Sequence, residues 1–218
     1  TSGTTGMVFD GVDGTYVSTG NYTIQSVVSF EFLVYIDVIG DYERFYEHYS
    51  SSAEFWILMR AVTSGATITG ARIAIGNGSV TAESTSLVFS TGSWNHIVVV
   101  IDGTSVKFYI NNTSESDTAS ASISSQMSTH SYIGAQYTSS YAIDGTIAHF
   151  RIWNGVALSA SDVATLYARR DTLTTPQLDF HVNSQLSLAI TENGLALPQY
   201  DVEVKGNELA CTKPTYAW

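Results

Sequence analysis

The sequence predicts an all-β protein: an antiparallel β-sandwich with one short helix and a small β-rich C-terminal extension. Three stretches carry that expectation. From Gly92, GSWNHIVVVIDGTSVKFYINN reads as two alternating strands joined at Asp102-Gly103, with Trp94 at the start of the first. From Ile143, IDGTIAHFRIWNGVALSASDVATLYA is a strand that runs into a short helix. Val27 to Ile36 is a long strand in which Val28, Phe30, Phe32, Val34 and Ile36 share one face by the two-residue period.

The elements follow in order. Residues 1–6, TSGTTG, read as linker. Met7-Val8-Phe9 begins a strand that ends at Asp10-Gly11, a turn falls at Asp13-Gly14, and Tyr16-Val17 is a second short strand. Opposite the core face of the Val27–Ile36 strand lie Ser29, Glu31, Leu33 and Tyr35, and Gly40-Asp41 ends that segment. Arg44–Tyr49 and Glu54–Ala61 form a hairpin across 50–52. Ala71–Ile75 stops at Gly76-Asn77-Gly78, and Val80 to Phe89 returns. Ile97, Val99 and Ile101 face one way, as do Val106, Phe108 and Ile110. Tyr132-Ile133-Gly134 is a short strand before a polar, tyrosine-bearing loop from Gln136 to Tyr141. Phe150 and Ile152 point inward, and Arg151 points out. The helix spans about Ala160 to Ala168, with Ser159 as N-cap, Asp162 three residues on, and Val163, Leu166 and Tyr167 as its apolar stripe. All three prolines, Pro176, Pro198 and Pro214, lie beyond Asp171. Residues 7–170 are therefore read as the main domain. Residues 171–218 are read as an extension, either a small β-unit or a segment that pairs with another subunit.

Composition narrows the function classes. Hydrophobic residues make up 44% of the 218 positions, enough for the core of one large sandwich. Only 13% are charged, and Ser and Thr are abundant, which suits hydroxyl-rich outer faces and argues against a disordered chain. The net charge is −11, and the nine Lys and Arg are scattered. Counterion release on nucleic acid needs clustered cations, so no nucleic acid partner is expected, and an anionic membrane surface is disfavoured for the same reason. No apolar run is long enough to span a bilayer and no signal-peptide pattern appears, so no membrane insertion is expected. Cys211 is the single cysteine, which excludes an intrachain disulfide. The chain opens Thr1-Ser2-Gly3 without an initiating Met and reads as a processed product or a piece of something longer.

The order Phe9-Asp10-Gly11, Tyr16-Val17, the Val27–Ile36 strand, Trp94-Asn95-His96, Asp102-Gly103, Tyr109-Ile110-Asn111, Tyr132-Ile133-Gly134, Asp144-Gly145, Arg151-Ile152-Trp153 and Leu158-Ser159 resembles the laminin G-like, concanavalin A-like jelly-roll superfamily. The resemblance covers Met7 to Ala168. It implies two packed antiparallel sheets and, commonly, carbohydrate binding or adhesion. It also implies a cofactor candidate, calcium. In relatives the first Asp-Gly turn and the late Asp-Gly turn approach each other, which here points to Asp10, Asp13 and Asp144. The chain departs from the pattern at Ala148 and His149, where relatives often carry acids. The structural alternative is that these Asp residues simply favour turns beside Gly.

A sugar site needs a flat aromatic against a pyranose, ringed by hydrogen-bonding groups. Two places qualify. One is the 41–56 hairpin, with Tyr42, Tyr46, Tyr49 and Trp56 near Glu43, Arg44 and Glu47. The other is the loop carrying Gln136, Tyr137 and Tyr141. For any one ring, core packing is the competing fate, and the loop tyrosines are the least easily buried. Paired acids alternating on one strand face, as glycoside hydrolysis needs, are absent, and Glu43, Glu47 and Glu54 surround a hairpin instead. No nucleophile-elbow pattern appears. His96 beside Trp94 reads as structural, and His48, His130, His149 and His181 lack metal-ligand spacing. The expectation is a non-catalytic carbohydrate-binding or adhesion module of a larger protein, extracellular or on a cell or virion surface, with a glycan or glycoprotein partner. The alternatives are a virion structural component that assembles with itself or a neighbour through the extension, and a glycoside hydrolase.

Overall fold

In the computed structural model, residues 6–12, 15–19, 23–50, 53–77, 80–119, 126–127, 130–138, 140–170, 177–181, 188–192, 195–196, 201–205 and 208–212 are described. The strands in chain order are β1 (Met7–Asp10), β2 (Tyr16–Thr19), β3 (Thr23–Ile24), β4 (Val27–Val38), β5 (Arg44–Ser50), β6 (Ala53–Ser64), β7 (Thr67–Gly76), β8 (Val80–Glu83), β9 (Trp94–Asp102), β10 (Ser105–Ile110), β11 (Thr113–Thr118), β12 (Gln126–Met127), β13 (His130–Ile133) and β14 (Asp144–Asn154). The helix α1 (Ala160–Arg169) follows. After it come β15 (Gln177–His181), β16 (Leu188–Glu192), β17 (Leu195–Ala196), β18 (Asp201–Lys205) and β19 (Glu208–Thr212).

Two antiparallel sheets stack as a jelly-roll sandwich. The first runs β11-β10-β9-β4-β14-β15-β19-β18, with β1 also on β14, and the second runs β17-β16-β2-β13-β5-β6-β7-β8. Alternation decides what meets between them. Val28, Phe30, Phe32, Val34 and Ile36 of β4 are fully buried, as are Ile57 and Met59 of β6 and Ile73 and Ile75 of β7. Aromatic rings bridge the layers: Phe30 lies 5.0 Å from Tyr46, Phe32 lies 5.7 Å from Phe45, and Tyr46 lies 5.6 Å from Phe150. Such ring pairs stabilise beyond the area they bury.

One pairing breaks the antiparallel rule. Strand β15 runs parallel to β14, in register from His149↔Gln177 to Trp153↔His181. The strands of the extension thus lie on both sheets of the same chain, since β16 pairs with β2.

One expectation is corrected. Val80 to Phe89 does not return as one strand. It is β8, a loop, and an isolated bridge between Ala71 and Phe89. The reason is Glu115 of β11, a polar strand that alternation of hydrophobic residues could not reveal. Its carboxylate accepts from the backbone N–H groups of Thr85, Ser86 and Leu87 at 2.8–2.9 Å and from the hydroxyls of Thr85 and Ser86. Glu31 falls on the face opposite the core, as alternation places it, and is nonetheless buried, together with His96. Helix α1 covers that face. Ser159 caps it in a reciprocal box with Asp162, and Val163 packs with Val98, Val100 and Tyr109. Beneath it Glu31 bonds His96 at 2.8 Å and Arg151 at 2.9 Å, so the buried acid is paired on both oxygens.

Candidate functional site

The outer face of the second sheet is lined quite differently from its inner face. Its strand register places Tyr132 of β13 beside Glu47 of β5, and Glu47 beside Trp56 of β6. Each of these sits one residue out of phase with a core residue, so all three point away from the sandwich interior. Trp56 packs with Leu58 and Ala74 in a cluster separate from the main core. Tyr16 of β2 meets Tyr132 edge-on at 5.4 Å.

The 136–141 loop folds onto this face. Gly134 starts it with φ +87°, a conformation glycine adopts freely, and a Cβ there would collide with the ring of Phe9. The loop closes on itself through the bond from the Gln136 N–H to the Ser140 carbonyl at 2.9 Å. It is pinned to the hairpin at both ends. The Arg44 N–H donates to the Tyr141 carbonyl at 2.9 Å, and the Tyr137 N–H donates to Glu47 Oε1 at 3.4 Å. The ring of Tyr137 stacks on Tyr49 with centroids 3.7 Å apart and 10° between planes. Tyr141 meets Tyr42 at 6.4 Å. The two stretches singled out in the sequence are therefore one patch.

Exposure sorts the candidates. Tyr42, Tyr137 and Tyr141 are 40%, 37% and 48% exposed. Tyr42 and Tyr141 also hold left-handed backbone, φ 69° and 53°, which costs a non-glycine residue about 1–2 kcal/mol. Gln136 is half-buried and its side-chain oxygen accepts from the Thr138 hydroxyl at 3.2 Å. Tyr46 must be withdrawn from the set. A bulge between Arg44 and Tyr46 turns both Phe45 and Tyr46 inward, and Tyr46 is fully buried. Its hydroxyl donates to Ser131 Oγ at 3.1 Å inside the core. Glu47 is also fully buried, under the loop. It positions the loop backbone and presents no oxygen to the outside. Tyr49, named with the hairpin, and Tyr132 complete the patch, and the parity of β13 is the signal that would have found Tyr132.

Charge on this face is closely matched. Arg44 Nε lies 3.4 Å from Glu47 and its NH2 lies 3.8 Å from Glu54, while the guanidinium sits 4.8 Å over Trp56 and 5.6 Å over Tyr141. Arg60 is 3.0 Å from Asp41 and lies 4.5 Å over the Tyr42 ring. Burial outweighs the attraction of Arg44 and, helped by Glu54, raises the Glu47 pKa to about 7. Glu43 rises to about 7 as well, again through burial, with Asp144 adding to it against a backbone hydrogen bond at Gly40.

For the metal candidates, the structure joins two of three. Asp10 and Asp144 are direct cross-strand partners on β1 and β14. Asp13 lies outside the described residues. Asp10 Oδ1 already accepts from the Val12 N–H at 3.1 Å and the Thr15 hydroxyl at 2.9 Å, the bonding of a turn. Among the described residues, no group of three or more His, Cys, Asp or Glu is arranged to hold a metal ion. Nor, among them, is any helix long and apolar enough to cross a membrane.

A sandwich of this topology, closed by a strand-to-helix segment and bearing an aromatic outer face, defines a lectin-like class of domain. The model of the concanavalin A-like lectin/glucanase superfamily matches residues 10–164, and the chain belongs to that superfamily. No curated protein matches the chain in sequence. Among solved structures, the chain is similar to a heptameric SAP-like pentraxin from Limulus polyphemus, at 13% identity and TM-score 0.58, over 73% of this chain and 80% of that one. It is also similar to domain 4 of AbnA, an extracellular arabinanase from Geobacillus stearothermophilus solved with arabinotriose. There the identity is 19% and the TM-score 0.49, over 74% and 71% of the two chains. A third is a putative carbohydrate binding protein from Bacteroides ovatus, at 14% and 0.48, over 73% and 46%. At these identities the likeness is one of fold.

Proposed function

We propose that the domain binds carbohydrate without transforming it, as an extracellular or surface-exposed module, through the tyrosine patch on the outer face of the second sheet. The observation that carries this is the convergence of Tyr42, Tyr137 and Tyr141. Three exposed rings from two distant segments are brought to one side of the sandwich, Tyr141 against Tyr42 and Tyr137 stacked on Tyr49. Flat rings of this kind suit the apolar face of a sugar, and Gln136 adds an amide beside them.

A glycan array followed by calorimetric titration tests the reading. Tyr137→Ala and Tyr141→Ala should each weaken binding by about tenfold, the loss of one stacked ring. Unchanged affinity in both would reject the patch. Turnover is tested separately by reducing-end release from a polysaccharide panel. Glu47 is sealed beneath the loop and Glu54, Asp41 and Glu83 are each engaged by an arginine, so no release is the expected result. Calcium is proposed only as an ion that would relieve the Asp10–Asp144 opposition with help from Asp13, and titration against chelator decides it.

A second reading, self-assembly of a surface or virion component, is favoured by the extension alone. Its strands pair at sheet edges, where another copy's strands would pair equally well. Sedimentation of the full chain as a single monomeric species would reject it.

A further inference from the structure

Resting on the glycan-binding reading, we infer that this face selects neutral glycans and turns away those bearing carboxylate or sulfate groups. Anionic sugars are held by cations with donors to spare, Arg above all. Among the described residues, the outer face of the second sheet carries three arginines, Arg44, Arg60 and Arg72. Each is already engaged by acids of the same face. Arg44 has Glu47 and Glu54, Arg60 has Asp41 at 3.0 Å and Glu83 at 3.9 Å, and Arg72 has Glu83 at 3.4 Å. Four acids thus face three cations. The two guanidiniums nearest the exposed tyrosines are also covered by rings, Arg44 by Trp56 and Tyr141 and Arg60 by Tyr42. An incoming carboxylate would have to displace a protein carboxylate and a ring to reach either. Among the described residues, His130, exposed beside Tyr132, is the one further group on this face able to become cationic. The remaining described lysines and arginines stand on the other sheet or on α1 and its C-cap, Arg170, and the chain as a whole carries −11. What the patch leaves uncovered is aromatic surface and hydroxyls, which fit uncharged sugar rings.

The test uses the full chain and matched oligosaccharide pairs: xylo-oligosaccharides with and without glucuronic acid branches, and lactose-type chains with and without sialic acid or sulfate. In each pair the neutral member should bind at least about tenfold more tightly at physiological salt. That gap should narrow at 0.5 M salt, about three times the physiological ionic strength. The double variant Asp41→Asn, Glu54→Gln frees Arg60 and Arg44 in part and should raise the acidic-to-neutral affinity ratio several-fold. An acidic member that binds as well as its neutral partner, and loses binding on Tyr137→Ala, would overturn the selectivity and leave the site standing. Binding to neither member of any pair, or binding indifferent to Tyr137→Ala, would overturn the site and the selectivity together.

Discussion

Tyr46, on β5, and Tyr137, in the loop after β13, show how the same residue type is put to opposite uses. Tyr46 is enclosed by Phe30, Phe55 and Phe150, with its hydroxyl satisfied by Ser131. Tyr46→Ala should cost about 3–5 kcal/mol of unfolding free energy, as for a large core aromatic, and Tyr46→Phe about 1 kcal/mol for the lost hydrogen bond. Urea denaturation measures both. A Tyr46→Ala protein as stable as the parent would contradict the core assignment. Tyr137→Ala, by contrast, should leave stability within about 0.5 kcal/mol. The sequence placed Tyr46 with the ligand set because Tyr42, Tyr46 and Glu47 are neighbours in the chain. Alternation predicts which residues share a face only while the strand is regular, and the bulge at Arg44–Tyr46 interrupts it.

Among the elements, β11 is the clearest case of polar chemistry doing what hydrophobic pattern usually does. Desolvation at Glu115 is overcome by its hydrogen bonds from Thr85, Leu87 and Ser86, which hold its pKa down to about 2. The carboxylate thereby staples the loop after β8 to the edge of the opposite sheet. Glu115→Gln should cost about 1–2 kcal/mol, a value set by several charge-assisted bonds and reduced for their exposure to water. Hydrogen exchange should show faster opening at 85–87 with β9 and β10 unaffected. Uniform acceleration across all strands would argue against a local staple. The helix behaves as its sequence suggests, down to the Ser159–Asp162 box, because capping depends on residues three apart. What it covers is set by tertiary packing.

On the scale of the whole molecule, the buried titrating groups give stability an unusual pH profile. Glu43 and Glu47 ordinarily titrate at 4.5 and do so at about 7 in the fold, so between those values the folded chain holds two protons that the unfolded chain lacks. Their contribution falls as pH rises through that window. Asp144, raised by burial and by Asp37 and Asp10, pulls the same way. His149, beneath α1, is pushed by burial and by Arg151 from 6.5 to about 4, so there the unfolded chain holds the extra proton and stability rises with pH. Glu115 does the same between 2 and 4.5. The balance of these groups puts maximum stability near pH 4.5–5, with a decline toward pH 7 on the order of 1 kcal/mol per pH unit. Denaturation at pH 5, 6 and 7 checks this, and Glu43→Gln with Glu47→Gln should flatten the decline. Stability that climbs from pH 5 to 7 would refute the assignment.

The sequence by itself determined the two-layer architecture, the core faces of β4, β9 and β10, the strand-to-helix closure and the helix cap, because each rests on a period or spacing of a few residues. Only the tertiary structure decided that α1 lies over Glu31 and His96, and that the 136–141 loop lies over Glu47, 90 positions away in the chain. Alternation assigns residues to a face, but it carries no information about what that face will meet. Those pairings depend on which edges and surfaces the packed sheets leave available, and that is settled only when the chain closes on itself.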